Sequence, residues 1–337
     1  MVIISDFIKE PFKTAAYSTG AFDLYFKGLK IGILDIETTG LSPERACFIL
    51  GGLISYEDKS FEQYFADNLA EEKDVLEKFI SRLRHLDVIV TYNGQRFDLP
   101  FLLKRAKILG IPMDFSLPYN LDLYLVLNNH SDLRKFLPNL KQKTVETFMG
   151  LWEMRLDEIS GEESVALYLE YLKGTNPDSK TQILLHNKDD VNQLSRLLPV
   201  IEKLDFHKSM HHLGFPVQIS GREEGWLKVD KILLNKRELS VSGVQGNHPI
   251  DYTRYGNLAM DFQVRFIKSD GSFQLSIPIQ SHQDTLYLDM RKSLTDFSPL
   301  GKYGFFEKDF LILKADKKIN HMEINHFIKL FLNNIEE

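Results

Sequence analysis

The chain has 337 residues, 43% of them hydrophobic, enough to fill one large core or two ordinary ones, and a formal net charge of −6. A single cysteine, Cys47, excludes an internal disulfide framework and a cysteine-rich zinc site; in ACFIL it reads as a small apolar core residue of a reducing compartment. No apolar run reaches the roughly 18 residues of a membrane span, and the charges in MVIISDFIKEPFK interrupt the apolar region that a signal peptide needs, so the expected location is cytoplasmic with no membrane partner.

In chain order, IGILDIE, CFILGGLISY and SFEQYFA predict three strands, with SPERA and EDKS as the turns between them. EEKDVLEKFISRLRHL reads as an amphipathic helix and VIVTYN as a short buried strand. FDLPFLLKRAKILG follows as a helix closed by Gly110, with a proline two residues on. Further helices are expected between Asn139 and Lys173, and another from about Thr181 to Leu204. Three antiparallel strands followed by alternating helix and strand predict an α/β domain with a mixed sheet, its faces covered by crossover helices. After Leu213 the period changes to alternation: KVDKILLNKRELSVSGV and NLAMDFQVRFIKSDGSFQLSIPIQ predict strands, with Asp270-Gly271 as a hairpin turn and TLYLDMR as a further strand. INHMEINHFIKLFLNNI predicts a closing amphipathic helix with Ile319, Met322, Ile324, Phe327, Ile328 and Phe331 on or near one face. The expected domains are therefore 1–205 and a smaller β-rich unit at 214–337, with FHKSMHHLGFP as the boundary. There His207 and His211 stand one turn apart; with no acid or cysteine at partner spacing they suit a helix end better than a metal site.

Residues 201–337 hold 18 Lys and Arg against 18 Asp and Glu, so the acidic excess lies in residues 1–200, with 23 bases against 29 acids. That balance argues against tight non-specific binding of nucleic acid but not against an acidic site filled by cations. Residues two apart in a strand share a face, so Asp35 and Glu37 project together. Like charges side by side are tolerable if solvent reaches them, if one stays protonated, or if a cation sits between them. Asp98 stands where the strand VIVTY gives way to a helix, and His186 and Asp190 are four apart on one helix face. Taken singly, Asp98 reads better as a helix cap, His186 as a packed imidazole and Asp190 as part of a solvated face.

In order along the chain these strings are DIETTGL at 35–41, YNGQRFD at 92–98 and HNKDDV at 186–191. The sequence resembles the DEDD 3′–5′ exonucleases of the RNase H-like superfamily, most closely the bacterial RNase H-like domains whose motifs run DIETTGL, YNG-x-x-FD and HN-x-x-DV. The resemblance covers about residues 31–200 and implies an RNase H-like mixed sheet flanked by helices. It implies that Asp35, Glu37, Asp98 and Asp190 hold two divalent cations, Mg²⁺ or Mn²⁺, for phosphodiester hydrolysis, with His186 as general base. Such ions seek oxygen ligands, and a pair about 3.5–4 Å apart stabilises both the attacking and the leaving oxygen. An imidazole with a pKa near 6.5 suits proton transfer at neutral pH. His186 combines the residue type of one branch of the family with the four-residue spacing of another, while Asp189 breaks the HN-x-x-DV register and is set aside.

The resemblance also implies that Thr38 and Leu41 contact a terminal nucleotide, with Leu41 or Phe97 against a base, although each serves equally as packing. Asn93 suits a substrate hydrogen bond or the turn itself, and Lys104 and Arg105 suit phosphate contacts or a plain helix surface. The expected partner is a single-stranded DNA or RNA end. Two alternatives stand beside the exonuclease: a weakly active or inactive nucleic-acid-binding or scaffold protein that keeps the fold, and a structure-specific endonuclease. In the β-rich unit, Tyr252, Tyr255, Phe262, Phe266 and Phe273 suit a core better than a stacking platform, because several alternate inward.

Overall fold

The strand β2 (Ile31–Thr38) is buried along nearly its whole length, as a run apolar on both faces should be when helices cover both sides of a sheet. The computed structural model describes residues 7–12, 15–112, 117–151, 156, 159, 161–174, 176, 178–217, 226–246, 249–256, 261–291, 293, 295–302, 306–307 and 309–334. They fall into two units, Met1–Thr19 with Phe26–Leu204 and Gly20–Tyr25 with Asp205–Glu337.

The first unit contains β1 (Phe7–Pro11), the end of α1 (Gly20–Phe26), β2, β3 (Phe48–Ser55), β4 (Ser60–Phe65), α2 (Glu72–Leu83), β5 (Val88–Thr91), α3 (Asp98–Leu109), β6 (Tyr119–Asp122), α4 (Leu123–His130), α5 (Gln142–Phe148), α6 (Gly161–Lys173) and α7 (Ser179–Leu197). Its six strands run in the order β1-β4-β3-β2-β5-β6. The first three pairings are antiparallel and the β2–β5 and β5–β6 pairings parallel, so the expected mixed α/β sheet is what forms. The three predicted strands, the helix α2 and the Gly110 cap of α3 fall where expected, Gly110 taking the left-handed φ of 65° that closes a helix. The helix expected from Thr181 to Leu204 instead ends as α-helix at Leu197 and tightens to a 3₁₀ turn over Leu198–Lys203, where Pro199 removes a backbone donor.

Two adjacent glycines in β3 serve opposite faces of the sheet. A Cβ on Gly51 would lie 2.6 Å from the Phe79 ring of α2, and one on Gly52 would lie 2.1 Å from Asn187 Oδ1 of α7. Both helices therefore press closer to the sheet than any side chain at those positions would allow. The α2 side is the larger core, with Leu34, Phe48, Leu76, Phe79, Leu102 and Ala106 buried together.

The second unit adds α8 (Phe206–Leu213), the strands β7 (Trp226–Leu234), β8 (Glu238–Gly246), β9 (Tyr252–Tyr255), β10 (Gln263–Ile267), β11 (Ser272–Pro278), β12 (Gln280–His282), β13 (Thr285–Asp289), β14 (Phe306–Glu307), β15 (Phe310–Ala315) and β16 (Lys318–Ile319), and α9 (His321–Asn333). One sheet runs β7-β8-β11-β10-β9 and the other β12-β13-β15-β14, with β16 paired to β15. The β10–β11 hairpin turns through Asp270 and Gly271, the glycine at φ 66°. Phe266 and Phe273 are core residues with rings 5.8 Å apart, and Phe262 packs edge-on to Phe331, while Tyr255 is exposed. Ile324, Phe327, Ile328 and Phe331 are buried on α9, as its pattern predicts, whereas Ile319 belongs to β16 before the helix and Met322 is only half-buried.

The segment FHKSMHHL is its own helix in this unit rather than the end of the preceding one. Residues 20–25 also join this unit, although they lie far upstream: Tyr25 is fully buried, packs on Phe206 and Phe215, and accepts from Asn325 Nδ2 at 2.8 Å. Its hydroxyl meets His207 Nδ1 at 2.9 Å, so His207 has a partner of its own and is not aimed at a metal shared with His211. Among the described residues, no helix is long and apolar enough to cross a membrane.

Candidate active site

Asp35 and Glu37 sit on β2 beside β3, where Asp35 is in register with Gly52, and Gly52 in turn with Gln63 of β4. Asn187 lies across this row. Its Nδ2 donates to Asp35 Oδ2 at 3.0 Å, and its Oδ1 accepts from Gln63 Nε2 at 3.0 Å; Gln63 also donates to the Leu184 carbonyl at 2.8 Å. The missing side chain at Gly52 makes room for the bridge. Asn187 thus fixes the Asp35 carboxylate and the depth of α7 together. It was visible in HNKDDV only as a letter, and the Gly-Gly pair within a predicted strand was the clue to a close approach.

The buried stripe of α7 runs through Ile183, His186, Asn187, Val191 and Leu194, and the same face brings Asp190 to the sheet. His186 Nε2 stands 3.6 Å from Glu37 Oε1 and 3.5 Å from Asp190 Oδ2. Ligand atoms of Glu37, His186 and Asp190 all lie within 4.8 Å of one another. Asp189 faces elsewhere, and its Oδ2 accepts from the Leu156 N–H at 2.5 Å.

Asp98 is the first residue of α3 and is buried. The turn before it is held from the next strand: Asp122, at the end of β6, accepts from the N–H groups of Asn93 at 2.9 Å and Gln95 at 3.0 Å, and from Leu125 at 3.2 Å as the cap of α4. Asn93 takes a left-handed φ of 67°, which an asparagine tolerates better than most residues. Neither β6 nor Asp122 stood out in the sequence, because a strand of four residues offers too short a pattern.

The electrostatics follow from this crowding. Burial, then the charges of Asp190, Glu37 and Asp98, push the Asp35 carboxyl well above the usual carboxylate range, against the Asn187 hydrogen bond. Burial raises Glu37 to about 7; His186 opposes this, Asp190 adds to it, and the buried Ser164 of α6 lowers it. Burial also raises Asp98 to about 7, with Asp122 adding its charge while the backbone N–H groups of Asp98 and Ile36 oppose. Asp35, Glu37 and Asp98 are thus each costly to ionise unless a positive charge joins them.

The remaining residues of interest divide. Leu41 stands 84% exposed at the tip of the loop after β2. Thr38 is buried and its hydroxyl donates to the Gly40 carbonyl at 2.8 Å, while Phe97 packs on Phe101 with ring centres 5.7 Å apart. Lys104 is on the surface, 3.3 Å from Glu44. Arg105 is no surface phosphate contact: it is buried, its Nη2 stands 2.5 Å from Glu72 Oε2, and its Nη1 donates to the Pro43 carbonyl at 3.0 Å. It lies on the same stripe as Phe101 and Leu102, which faces the core.

A DNA polymerase of Methanocaldococcus jannaschii is 41% identical over 66 residues, 20% of this chain and 4% of that protein. A DNA polymerase of Pyrococcus glycovorans is 37% identical over 98 residues, 25% of this chain and 12% of that protein, so the chain matches only a small part of the length of these relatives. Among solved structures, a family B DNA polymerase of Pyrobaculum calidifontis aligns with a TM-score of 0.43 and 17% identity, covering 63% of this chain and 34% of that one. The family model of the RNase H superfamily matches residues 33–201, the stretch that carries β2 to α7 and with it all three motifs; the chain belongs to the RNase H superfamily.

Proposed function

We propose that the chain is a metal-dependent nuclease that hydrolyses phosphodiester bonds from the 3′ end of single-stranded DNA or RNA. The observation that carries this reading is the meeting of Glu37, His186 and Asp190, with ligand atoms within 4.8 Å of one another, where Asp35 and Asp98 also press their charge. The donor set of carboxylate oxygens with one imidazole suits hard divalent cations. In this reading Asp35, Glu37, Asp98 and Asp190 hold two ions, Mg²⁺ or Mn²⁺. Bound there, the ions supply Lewis acidity toward the phosphodiester and make water a better nucleophile near neutral pH.

The chain's own groups orient and move the proton. His186 takes it from the attacking water at Nε2, and Asn187 holds the Asp35 carboxylate in place. Leu41 and Thr38 meet the terminal nucleotide, Phe97 backs its base, and Asn93 lies at the turn beside it. The archaeal relatives, which are DNA polymerases, favour nucleic acid as the substrate class.

The test compares wild type with Asp35→Ala on 3′- and 5′-labelled single strands of DNA and RNA, in Mg²⁺, Mn²⁺ or EDTA. The expected outcome is a ladder that grows from the 3′ end with metal and is lost both in EDTA and in the variant. Intact strands under every condition would leave a nucleic-acid-binding protein instead, and cutting of a circular strand would make the activity endonucleolytic.

A further inference from the structure

Beside the carboxylate cluster the first unit opens a cleft of about 670 Å³ between the YNGQRFD turn, α4 and the start of α5. Although residues 1–200 carry more acids than bases, the cleft's lining among the described residues includes the cations Arg96, Arg134 and Lys141 and no Asp or Glu. Nearby Lys135 is neutralised by Asp132 at 2.7 Å, but Arg134 and Lys141 make no ion pair among the described residues. Two rings form part of the wall. Tyr92 is fixed by its hydroxyl donating to the Leu140 carbonyl at 2.6 Å, and it meets Tyr124 edge-on with centres 6.1 Å apart. Arg96 lies 5.8 Å from the centre of the Tyr124 ring. Gln142, on the lining, donates from Nε2 to the Asp190 carbonyl at 3.1 Å, so one hydrogen bond joins the cleft to the helix that carries His186 and Asp190.

Cations that lack acidic partners among the described residues, set beside aromatic rings, make the kind of surface that holds unpaired nucleic acid: phosphates meet the charges and bases pack on the rings. A duplex keeps its base faces stacked inside and offers none to the tyrosines. We propose that this cleft seats the unpaired nucleotides inboard of the one removed, with phosphates at Arg134 and Lys141 and a base against Tyr124. The substrate is then an unpaired tail and not a blunt duplex end. This rests on the nuclease reading for the direction of the strand, but the binding itself does not need turnover.

The experiment titrates wild type with a fluorescein-labelled oligothymidylate of about twelve nucleotides, within the usual span of single-strand sites, in EDTA at several salt concentrations. Arg134→Gln with Lys141→Gln is expected to weaken binding about tenfold and to reduce the slope of log affinity against log salt by about 1.4, or about 0.7 per lost phosphate contact. Tyr124→Leu is expected to weaken binding about fivefold or more and leave the slope unchanged. Lys73→Gln with Lys78→Gln, which removes the same charge from the exposed side of α2 on the opposite face of the sheet, is expected to change neither. The proposal is overturned if the cleft pair behaves like the α2 pair, if wild type does not bind the strand, or if it binds a blunt duplex as tightly. Hydrolysis is read separately, as metal-dependent release of p-nitrophenol from thymidine 5′-monophosphate p-nitrophenyl ester by wild type. Absence of that release with cleft-dependent binding retained removes the nuclease reading and keeps the cleft.

Discussion

Glu72 and Glu37 are both buried glutamates of the first unit, 3% and 7% exposed, and the fold treats them in opposite ways. Glu72 Oε1 accepts from Arg105 Nε at 2.8 Å and from the Phe48 N–H at 2.7 Å, and its other oxygen faces Arg105 Nη2 at 2.5 Å. A planar guanidinium and a backbone donor satisfy that carboxylate within the protein, and the pair ties α2 and α3 to the loop through Pro43. Glu37 has an imidazole at 3.6 Å and the Ser164 hydroxyl, and the charged groups that otherwise act on it are acids, Asp190 and Asp98. Among the described residues no Lys or Arg pairs with Asp35, Glu37 or Asp98. A chain able to neutralise one buried glutamate with arginine gives Asp35, Glu37 and Asp98 no such partner among the described residues, which is what the proposed cation site requires.

Mutation of each glutamate's surroundings sets the two arrangements against each other. Arg105→Ala leaves Glu72 buried without its cation and is expected to destabilise by about 3–5 kcal/mol in urea unfolding; Arg105→Met with Glu72→Gln should recover a substantial part of that loss. If Arg105→Ala alone were nearly neutral, the pair would be ornamental and the contrast with Glu37 would lose its force.

Glu37→Gln is expected to act in the opposite direction. The folded protein holds the Glu37 proton up to about pH 7, whereas an unfolded glutamate releases it near 4.5, so the wild type loses stability as pH rises between those values and stays at the lower level above them. In EDTA at pH 8 the variant should therefore be more stable than wild type by about 3 kcal/mol, with the difference vanishing below pH 4.5. At a metal concentration about 100 times Kd the wild type gains about 2.7 kcal/mol and the advantage of the variant closes. A variant less stable than wild type at pH 8 in EDTA would mean that Glu37 already has its cation within the fold.

That Asp35 and Glu37 share a face, and His186 and Asp190 another, was open to reading from period two on β2 and a spacing of four on α7, whereas Asp98 joined them only through the resemblance that the three strings carry. The mixed sheet followed from the same patterns. Arg105 was misread as a surface cation although it falls three residues after Leu102 and four after Phe101, on the stripe that α3 buries; an arginine is so often exposed that the stripe was outweighed by residue type. Asp122 and the placement of residues 20–25 were not legible, since both depend on which distant element a short segment meets, and neither segment has a pattern long enough to announce it.

Asn187 falls between these cases, and Gly52 offers a way to measure its part. Adding one methyl at Gly52 places a carbon 2.1 Å from Asn187 Oδ1, and because Asn187 is buried and held by both Gln63 and Asp35, it has no free rotation with which to yield. Gly52→Ala must then either push α7 outward or break the Asn187 bridge, at an expected cost of about 1–3 kcal/mol. Either response moves the face that carries His186 and Asp190 relative to the strand that carries Asp35 and Glu37. Gly51→Ala presses instead on the Phe79 ring, on the α2 side of the sheet, with its nearest contact at 2.6 Å. The two variants should lose similar stability, but only Gly52→Ala should also weaken the metal-induced rise in melting temperature. Equal weakening in both would show that the cation cluster senses general loosening of the sheet and not the seating of one helix.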